Sequence, residues 1–349
     1  MRTHNRMTVL AAALAVFLAG CGIVSEKVPA DTLVAAKVTR APDPNALAAD
    51  SAWTVARPIT VLLSGGRNFG GRGETNATMK AVYAGDTLYL LLQYDDPTNS
   101  IRRGPYQKQA DGSWKKLVDP ADKGGDDNLY YEDKWAMIWN VNGSIKNFEK
   151  EGCMSLCHEG QGKPYGNKYT PGEGQIGDIW HMKGSRTAPL GFVDDQYVDH
   201  TRYDAKASPN AGRKSDPGGT LGEYTAFSLA DGKPQFMNRD GKPANAGGTY
   251  YIKRGDEIAF DDSKFKAGDE VASFIINPLV GDRTDIRVVN AWQDGRRTSV
   301  VSRKLVTGSK FDVQFDNLGG RYAFGVAAFD NAQVRHATSD DPLFLVFAR

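Results

Sequence analysis

The stretch Thr87-Leu88-Tyr89-Leu90-Leu91-Leu92-Gln93-Tyr94 carries apolar or aromatic side chains at nearly every position. A strand apolar on both faces is buried from two sides, as a central strand of a sandwich is. Just before it, residues 79–83 form a second β-prone run, and Ala84-Gly85-Asp86 between the two reads as a tight hairpin loop. Working outward, similar runs recur at 59–63, 135–141, 271–276, 285–292, 298–305, 311–315, 322–329 and 343–347. They are separated by turn signals, and no sustained helical period appears between them. The 38 Gly and 16 Pro favour many turns over long helices. The expected fold is all-β, an antiparallel β-sandwich. Segments 97–133 and 142–270 are rich in Gly, Asp, Lys, Asn and Pro. Loops of such length are uncommon unless they serve a function, so they are expected to build a site on the sandwich.

The start of the chain reads as a processing segment. Arg2 and Arg6 precede a short apolar run that ends Leu18-Ala19-Gly20-Cys21, which resembles a bacterial lipobox. The expected organisation is a lipoprotein signal peptide at 1–20, a lipidated Cys21 with a flexible tether over 21–50, and one domain at 51–349. The alternative is an ordinary signal peptide with a chance cysteine. No other stretch is apolar for the ~18 residues a membrane helix needs. The expected location is therefore outside the cytoplasm, facing the periplasm and held to a bacterial membrane by acyl chains on Cys21. Gly22 is not an acidic retention residue, so the outer membrane is an admissible destination.

Lys plus Arg number 43 against 42 Asp plus Glu. This balance offers no concentrated basic surface for nucleic acid, and no nucleic-acid partner is expected. With 40% hydrophobic and 24% charged residues, the chain has the composition of a globule, which excludes wholesale disorder. Gly65-Gly66-Arg67-Asn68-Phe69-Gly70-Gly71-Arg72-Gly73 lacks the Lys-Ser/Thr pair of a phosphate loop and reads as a turn. The acidic pairs Asp126-Asp127, Asp194-Asp195 and Asp261-Asp262 could hold Ca²⁺, but none has EF-hand spacing. No G-x-S-x-G or H-E-x-x-H occurs.

The chemistry-bearing motif is Gly152-Cys153-Met154-Ser155-Leu156-Cys157-His158. It is C-x-x-x-C-H, one residue longer than the C-x-x-C-H of c-type haem attachment. Two thiols can add to the haem vinyl groups, and a histidine directly after the second thiol can reach the iron from one face. Export agrees, because an exported chain meets the compartment where such attachment occurs. Two other readings stay open. In an oxidising compartment the thiols could form a Cys153–Cys157 disulfide closing a small loop. A zinc site would need four ligands, and only two thiolates and scattered histidines are present.

A family resemblance joins these pieces. Gly177-Asp178-Ile179-Trp180-His181-Met182-Lys183, followed by Arg186-Thr187-Ala188-Pro189-Leu190-Gly191-Phe192-Val193-Asp194-Asp195, resembles the D-I-W-H-W-K-A-x-R signature of the ethylbenzene dehydrogenase-type haem-binding domain. The segment Ala327-Ala328-Phe329-Asp330-Asn331-Ala332-Gln333-Val334-Arg335-His336-Ala337 is similar to that family's final-strand motif, and 86–96 matches its style. The resemblance covers roughly residues 50–349. It implies a β-sandwich with one haem at the end of the sheets. Its b-type members include the small electron-transfer subunit of molybdenum enzymes of the dimethyl sulfoxide reductase type. There a Met ahead of the tryptophan motif and a Lys near the last strand hold the iron. Here Cys153, Cys157 and His158 fall where the Met would, and His336 near the Lys position.

The expected cofactor is one covalent haem c, with His158 on one axial face. His336 is the first choice for the other, followed by His181 and then Met182. Trp180 is expected to pack on the macrocycle, and Lys183 and Arg186 to meet its propionates. Two nitrogen ligands leave iron no open position, so electron transfer is expected rather than stand-alone enzymatic turnover. The expected partner is another cytochrome or a molybdenum oxidoreductase. Two other readings compete. One is a haem sensor or enzyme with a vacant axial position. The other is a non-redox, ligand-binding β-sandwich lipoprotein with the disulfide.

Overall fold

The computed structural model describes residues 28–158, 167–218 and 221–348. The expected signal peptide at 1–20 and Cys21 lie outside the described residues. Thirteen strands make the main sheet: β1 (Thr32–Lys37), β2 (Ile59–Leu63), β3 (Thr75–Ala84), β4 (Thr87–Asp95), β5 (Lys134–Asn140), β6 (Gly177–Lys183), β7 (Asp194–Val198), β8 (Arg213–Ser215), β9 (Arg287–Gln293), β10 (Arg296–Lys304), β11 (Tyr322–Phe329), β12 (Ala337–Thr338) and β13 (Leu343–Phe347). Their order is β8-β7-β6-β5-β11-β13-β1-β3-β4-β10-β9, with β2 on β3 and β12 on β11. The hairpin pairs Ala84 with Thr87, so its loop is Gly85-Asp86, with Gly85 at φ +58°. Gly at the first loop position is what a twisted two-residue hairpin requires.

The sheet folds over on itself. Leu88, Leu90 and Leu92 of β4, Val301 of β10, Trp135, Met137 and Trp139 of β5, Trp180 and Met182 of β6, and Phe324 and Val326 of β11 share one buried core. These positions alternate along each strand, because successive side chains point to opposite faces. On the other face of β4, Leu91 joins a smaller core with Trp53, Val82 and Val300. The strand is thus buried on both sides.

Trp135 Nε1 donates to Ser299 Oγ across the sandwich at 2.9 Å, in a buried bond. Ser299→Ala leaves that indole N–H dry and without an acceptor. The expected loss is about 1–3 kcal/mol, read from the denaturant midpoint. An unchanged midpoint would show that water reaches the indole.

Several expectations need correction. The tether expected over 21–50 fails from Thr32 onward, because β1 lies in mid-sheet, parallel to both β13 and β3. Its sequence Thr-Leu-Val-Ala-Ala-Lys is short and Ala-rich, so propensity is weak and tertiary pairing makes the strand. Segment 311–315 is not a strand. Val313 and Phe315 are buried there without ladder pairing. The middle of the chain is not all loop. It supplies β6, β7 and β8, and also a satellite built from short pairs such as Tyr106–Lys108 with Trp114–Lys116 and Tyr224–Ala226 with Phe274–Ile276. A second core of Tyr106, Trp114, Phe227, Ile252 and Phe265 holds it. Among the described residues no helix is long and apolar enough to cross a membrane.

Candidate functional site

Neighbouring strands β11, β5 and β6 place Ala327 beside Ala136 and Ala136 beside His181. One pleat along, Gly325, Ile138 and Ile179 form the next row. Because Trp135, Met137, Trp180, Met182, Phe324 and Val326 face the core, these intervening residues face outward. Ala136, Gly325 and Ala327 are small, so the floor is low and flat. Cys153, Lys168, Arg213, Phe329, His336 and Thr338 wall the space above it. The enclosed space is about 70 Å³, smaller than the about 300–1,000 Å³ of small-molecule and cofactor sites, so a large group would enter only with the walls moved apart.

Cys153 is set over this floor by local geometry. Gly152 at φ +57° turns the chain into a 3₁₀ turn, and Cys153 Sγ lies 3.2 Å from Thr338 Oγ1. Gly325 makes room beneath it, since a Cβ there would lie 3.2 Å from Cys153 Cβ and 3.5 Å from its Sγ. Burial pushes the Cys153 thiol pKa up. Cys153 and Cys157 are free thiols. Lys168 Nζ, from the same wall, lies 3.7 Å from Cys157 Sγ.

His336 leaves the sheet just before β12. Its Nδ1 lies 2.7 Å from the Val334 carbonyl. A carbonyl only accepts, so Nδ1 carries the proton and Nε2 keeps its lone pair, the form a metal takes. Burial, followed by the charge of Lys168, pushes its pKa down to about 4. His181 rises from the floor. Its Nε2 has no hydrogen-bond partner among the described residues, and burial, then Lys183 and Lys134, hold its pKa well below the ordinary range. The Phe329 ring touches both imidazoles, at 4.7 Å from His336 and 5.8 Å from His181 between ring centroids.

The other expected site residues are elsewhere. His158 does not line the cleft. Its ring stacks on Tyr169 at 3.7 Å, and its Nε2 lies 3.3 Å from the Tyr169 carbonyl. Trp180 and Met182 are in the core on the far side of the sheet from the cleft. Trp180 packs on Trp139 at 5.0 Å and under the Arg303 guanidinium at 5.2 Å. One-residue alternation from His181 forces this placement. Lys183 and Arg186 are committed to buried partners. Lys183 pairs with Asp194 at 2.6 Å and with Glu223, and Arg186 with Glu223 at 2.6 Å and with Glu132. They are not free cations at a ligand surface. Arg213 and Lys168, which line the cleft, take that place. Among the described residues Arg213 has no carboxylate within ion-pair distance. Only the nearness of Lys168 to the Cys motif could have pointed to it, and nothing in the sequence pointed to Arg213.

The fold is a β-sandwich with a cleft on the outer face of one layer. The chain belongs to the ethylbenzene dehydrogenase family, whose profile matches residues 50–340. This makes it a domain related to redox enzymes. No curated protein sequence matches it significantly. Solved structures with some similarity include a candidate carbohydrate-binding protein from Bacteroides uniformis, at 8% identity and TM-score 0.37, with 91% of this chain and 99% of that one covered. Another is a family 9 carbohydrate-binding module from Caldicellulosiruptor kristjanssonii in complex with glucose, at 8% identity and TM-score 0.32, with 91% and 95% covered.

Proposed function

We propose that this chain is an exported, lipid-anchored mono-haem c-type cytochrome that carries electrons between respiratory partners. The observation that supports it best is the convergence of Cys153, His336 and His181 on one apolar, flat-floored cleft. The donor set fits the group. The cleft offers a thiol, a histidine whose Nδ1 is already tied down, and a second imidazole nitrogen without a partner. Cys153 would hold the haem covalently and His336 would ligate iron, while Cys157 and His158, which do not line the cleft, would join them once turned from Lys168 and Tyr169. Bound there, haem supplies a one-electron couple tuned by ligand identity, burial and hydrogen bonding. Ala136, Gly325 and Ala327 keep the floor low, and the walls above it would have to open for a flat ring to lie there. Ile138, Ile179 and Phe329 would exclude water from a bound group, and Arg213 and Lys168 would meet its acidic substituents. Membrane attachment through Cys21 would confine diffusion to a surface shared with a molybdenum oxidoreductase or another cytochrome.

The test is expression in a host with c-type maturation, acid–acetone extraction, and a pyridine haemochrome spectrum. Haem that stays with the polypeptide and shows a c-type band is expected. Cys153→Ala with Cys157→Ala should abolish haem staining on a denaturing gel. Haem that extracts from the parent chain would move the reading to a b-type domain. A chain that takes up none would remove the redox reading altogether.

A further inference from the structure

Away from the cleft, the two ends of the sheet come together. Val193, at the entry to β7, donates to Ile286 just before β9 at 3.0 Å, and Val288 in β9 donates to Gly191 at 3.1 Å. Five carboxylates gather at this seam. Asp178 comes from β6, Asp195 from β7, Asp216 from just after β8, Asp285 from just before β9, and Asp312 from the loop after β10. One oxygen each from Asp178, Asp195 and Asp312 lies within 4.8 Å of the others. Two oxygens on one Ca²⁺, each at 2.3–2.6 Å, are at most about 5.2 Å apart.

The cluster is short of donors. Asp178 accepts from the Val313 N–H at 3.0 Å and Asp312 from Thr307 at 2.6 Å, while Arg303 forms ion pairs with Asp312 at 3.0 Å and with Asp178 at 3.8 Å. Among the described residues, Asp178 Oδ1, Asp312 Oδ1, Asp285 Oδ1 and both oxygens of Asp195 and Asp216 accept no hydrogen bond, and Asp216 faces Asp312 and Asp285 faces Asp195, carboxyl to carboxyl. Asp195 is 0% and Asp216 3% exposed, so bulk solvent does not reach them. Asp216 stands outside the close triad. After burial, the charges that act most on it are those of Asp312 and Asp178, which push its pKa up to about 9. Arg303 is the cation at the cluster, with Asp282 nearby adding further negative charge.

A second buried triad, Asp96, Asp133 and Asp330, shows what satisfaction looks like. Arg297 bonds Asp96 at 2.7 Å and Asp133 at 2.6 Å. Asn331 N–H bonds Asp133, Phe69 N–H bonds Asp330, and Thr98 bonds Asp330. There only Asp96 Oδ1 lacks a donor. The seam cluster has more carboxylates and fewer donors, and buried carboxyls without donors are either protonated or joined by a cation.

We propose that Asp178, Asp195 and Asp312, backed by Asp216 and Asp285, bind one Ca²⁺ that fastens the two ends of the sheet. An all-carboxylate, buried site favours Ca²⁺ over Mg²⁺, which gives up its waters reluctantly. The inference is independent of haem.

The experiment uses the full chain, with and without haem. Metal analysis after gel filtration in Ca²⁺ should give one ion per chain. The melting temperature should fall in EGTA and return on adding Ca²⁺, but not on adding Mg²⁺ alone. Tb³⁺ should show emission excited through Trp180, displaced by Ca²⁺. Asp312→Asn and Asp195→Asn should each weaken Tb³⁺ binding roughly tenfold or more. Parent protein with no bound Ca²⁺ and the same melting temperature in EGTA would overturn the site, whether or not the variants fold. Equal rescue by Mg²⁺ would overturn the choice of ion.

Discussion

Glu132→Gln is expected to remove about 3–5 kcal/mol of folding stability, the usual cost of stranding a buried charge. Glu132 is fully buried. It accepts from the Ser185 N–H and Oγ, each at 2.7 Å, and pairs with the Arg186 guanidinium. Arg186 in turn bonds Glu223 at 2.6 Å, and Glu223 also pairs with Lys183. Burial opposes charge on Arg186, yet Glu132 and Glu223 hold its pKa well above the usual range. Neutralising Glu132 leaves a guanidinium that cannot discharge and has lost one of its two anions. The amide of Gln keeps the shape, so the loss reports charge and not volume.

The pH dependence has a definite sign. Burial would raise both carboxyls, but the facing cations hold Glu132 and Glu223 below the ordinary 4.5. An acid depressed in the fold binds protons more readily when unfolded. Its stabilisation is therefore complete above about 4.5 and is lost as pH falls toward the folded-state values. Urea unfolding at pH 7 and at pH 3.5 measures this. The gap between parent and variant should be smaller at the lower pH. A Gln variant within 1 kcal/mol of the parent at pH 7 would mean that the network is satisfied by water.

The same network shows what sequence could and could not reveal. The strands that were legible have dense apolar runs, such as 87–94 and 322–329. β1 was not, because five small or modest side chains form a strand only when β13 and β3 sit on either side. The family motif 177–183 was legible as chemistry but not as a strand. Had its alternation been read, His181 would have been separated from Trp180 and Met182, since a period of two puts them on opposite faces. Lys183 and Arg186 looked like free surface cations because their partners are remote in sequence. Asp194 is 11 residues away, Glu223 is 40 from Lys183, and Glu132 is 54 from Arg186. The seam cluster was hidden for the same reason. Of its five carboxylates, only Asp195 belongs to one of the acidic pairs that stood out.

If the chain holds haem as proposed, His336→Ala is expected to convert a low-spin haem spectrum to a high-spin one that binds carbon monoxide when reduced, with the haem still attached. The argument lies in how each histidine is held. A metal-bound imidazole usually has its other nitrogen anchored, which fixes tautomer and orientation. His336 has that anchor in the Val334 carbonyl at 2.7 Å, and burial already favours its neutral form. His181 lacks a partner at Nε2, but it is packed beside Phe329 on the floor of the sheet. From that position His181 would contact a bound group through packing rather than hold it. His181→Ala should therefore keep the low-spin spectrum and shift the potential, since hydrogen bonding and burial around a haem tune it. Visible and electron paramagnetic resonance spectra of both variants decide the matter. If His181→Ala gives the high-spin, carbon monoxide-binding form and His336→Ala does not, the axial assignment passes to His181. The anchored Nδ1 of His336 would then be a structural bond that closes the turn before β12.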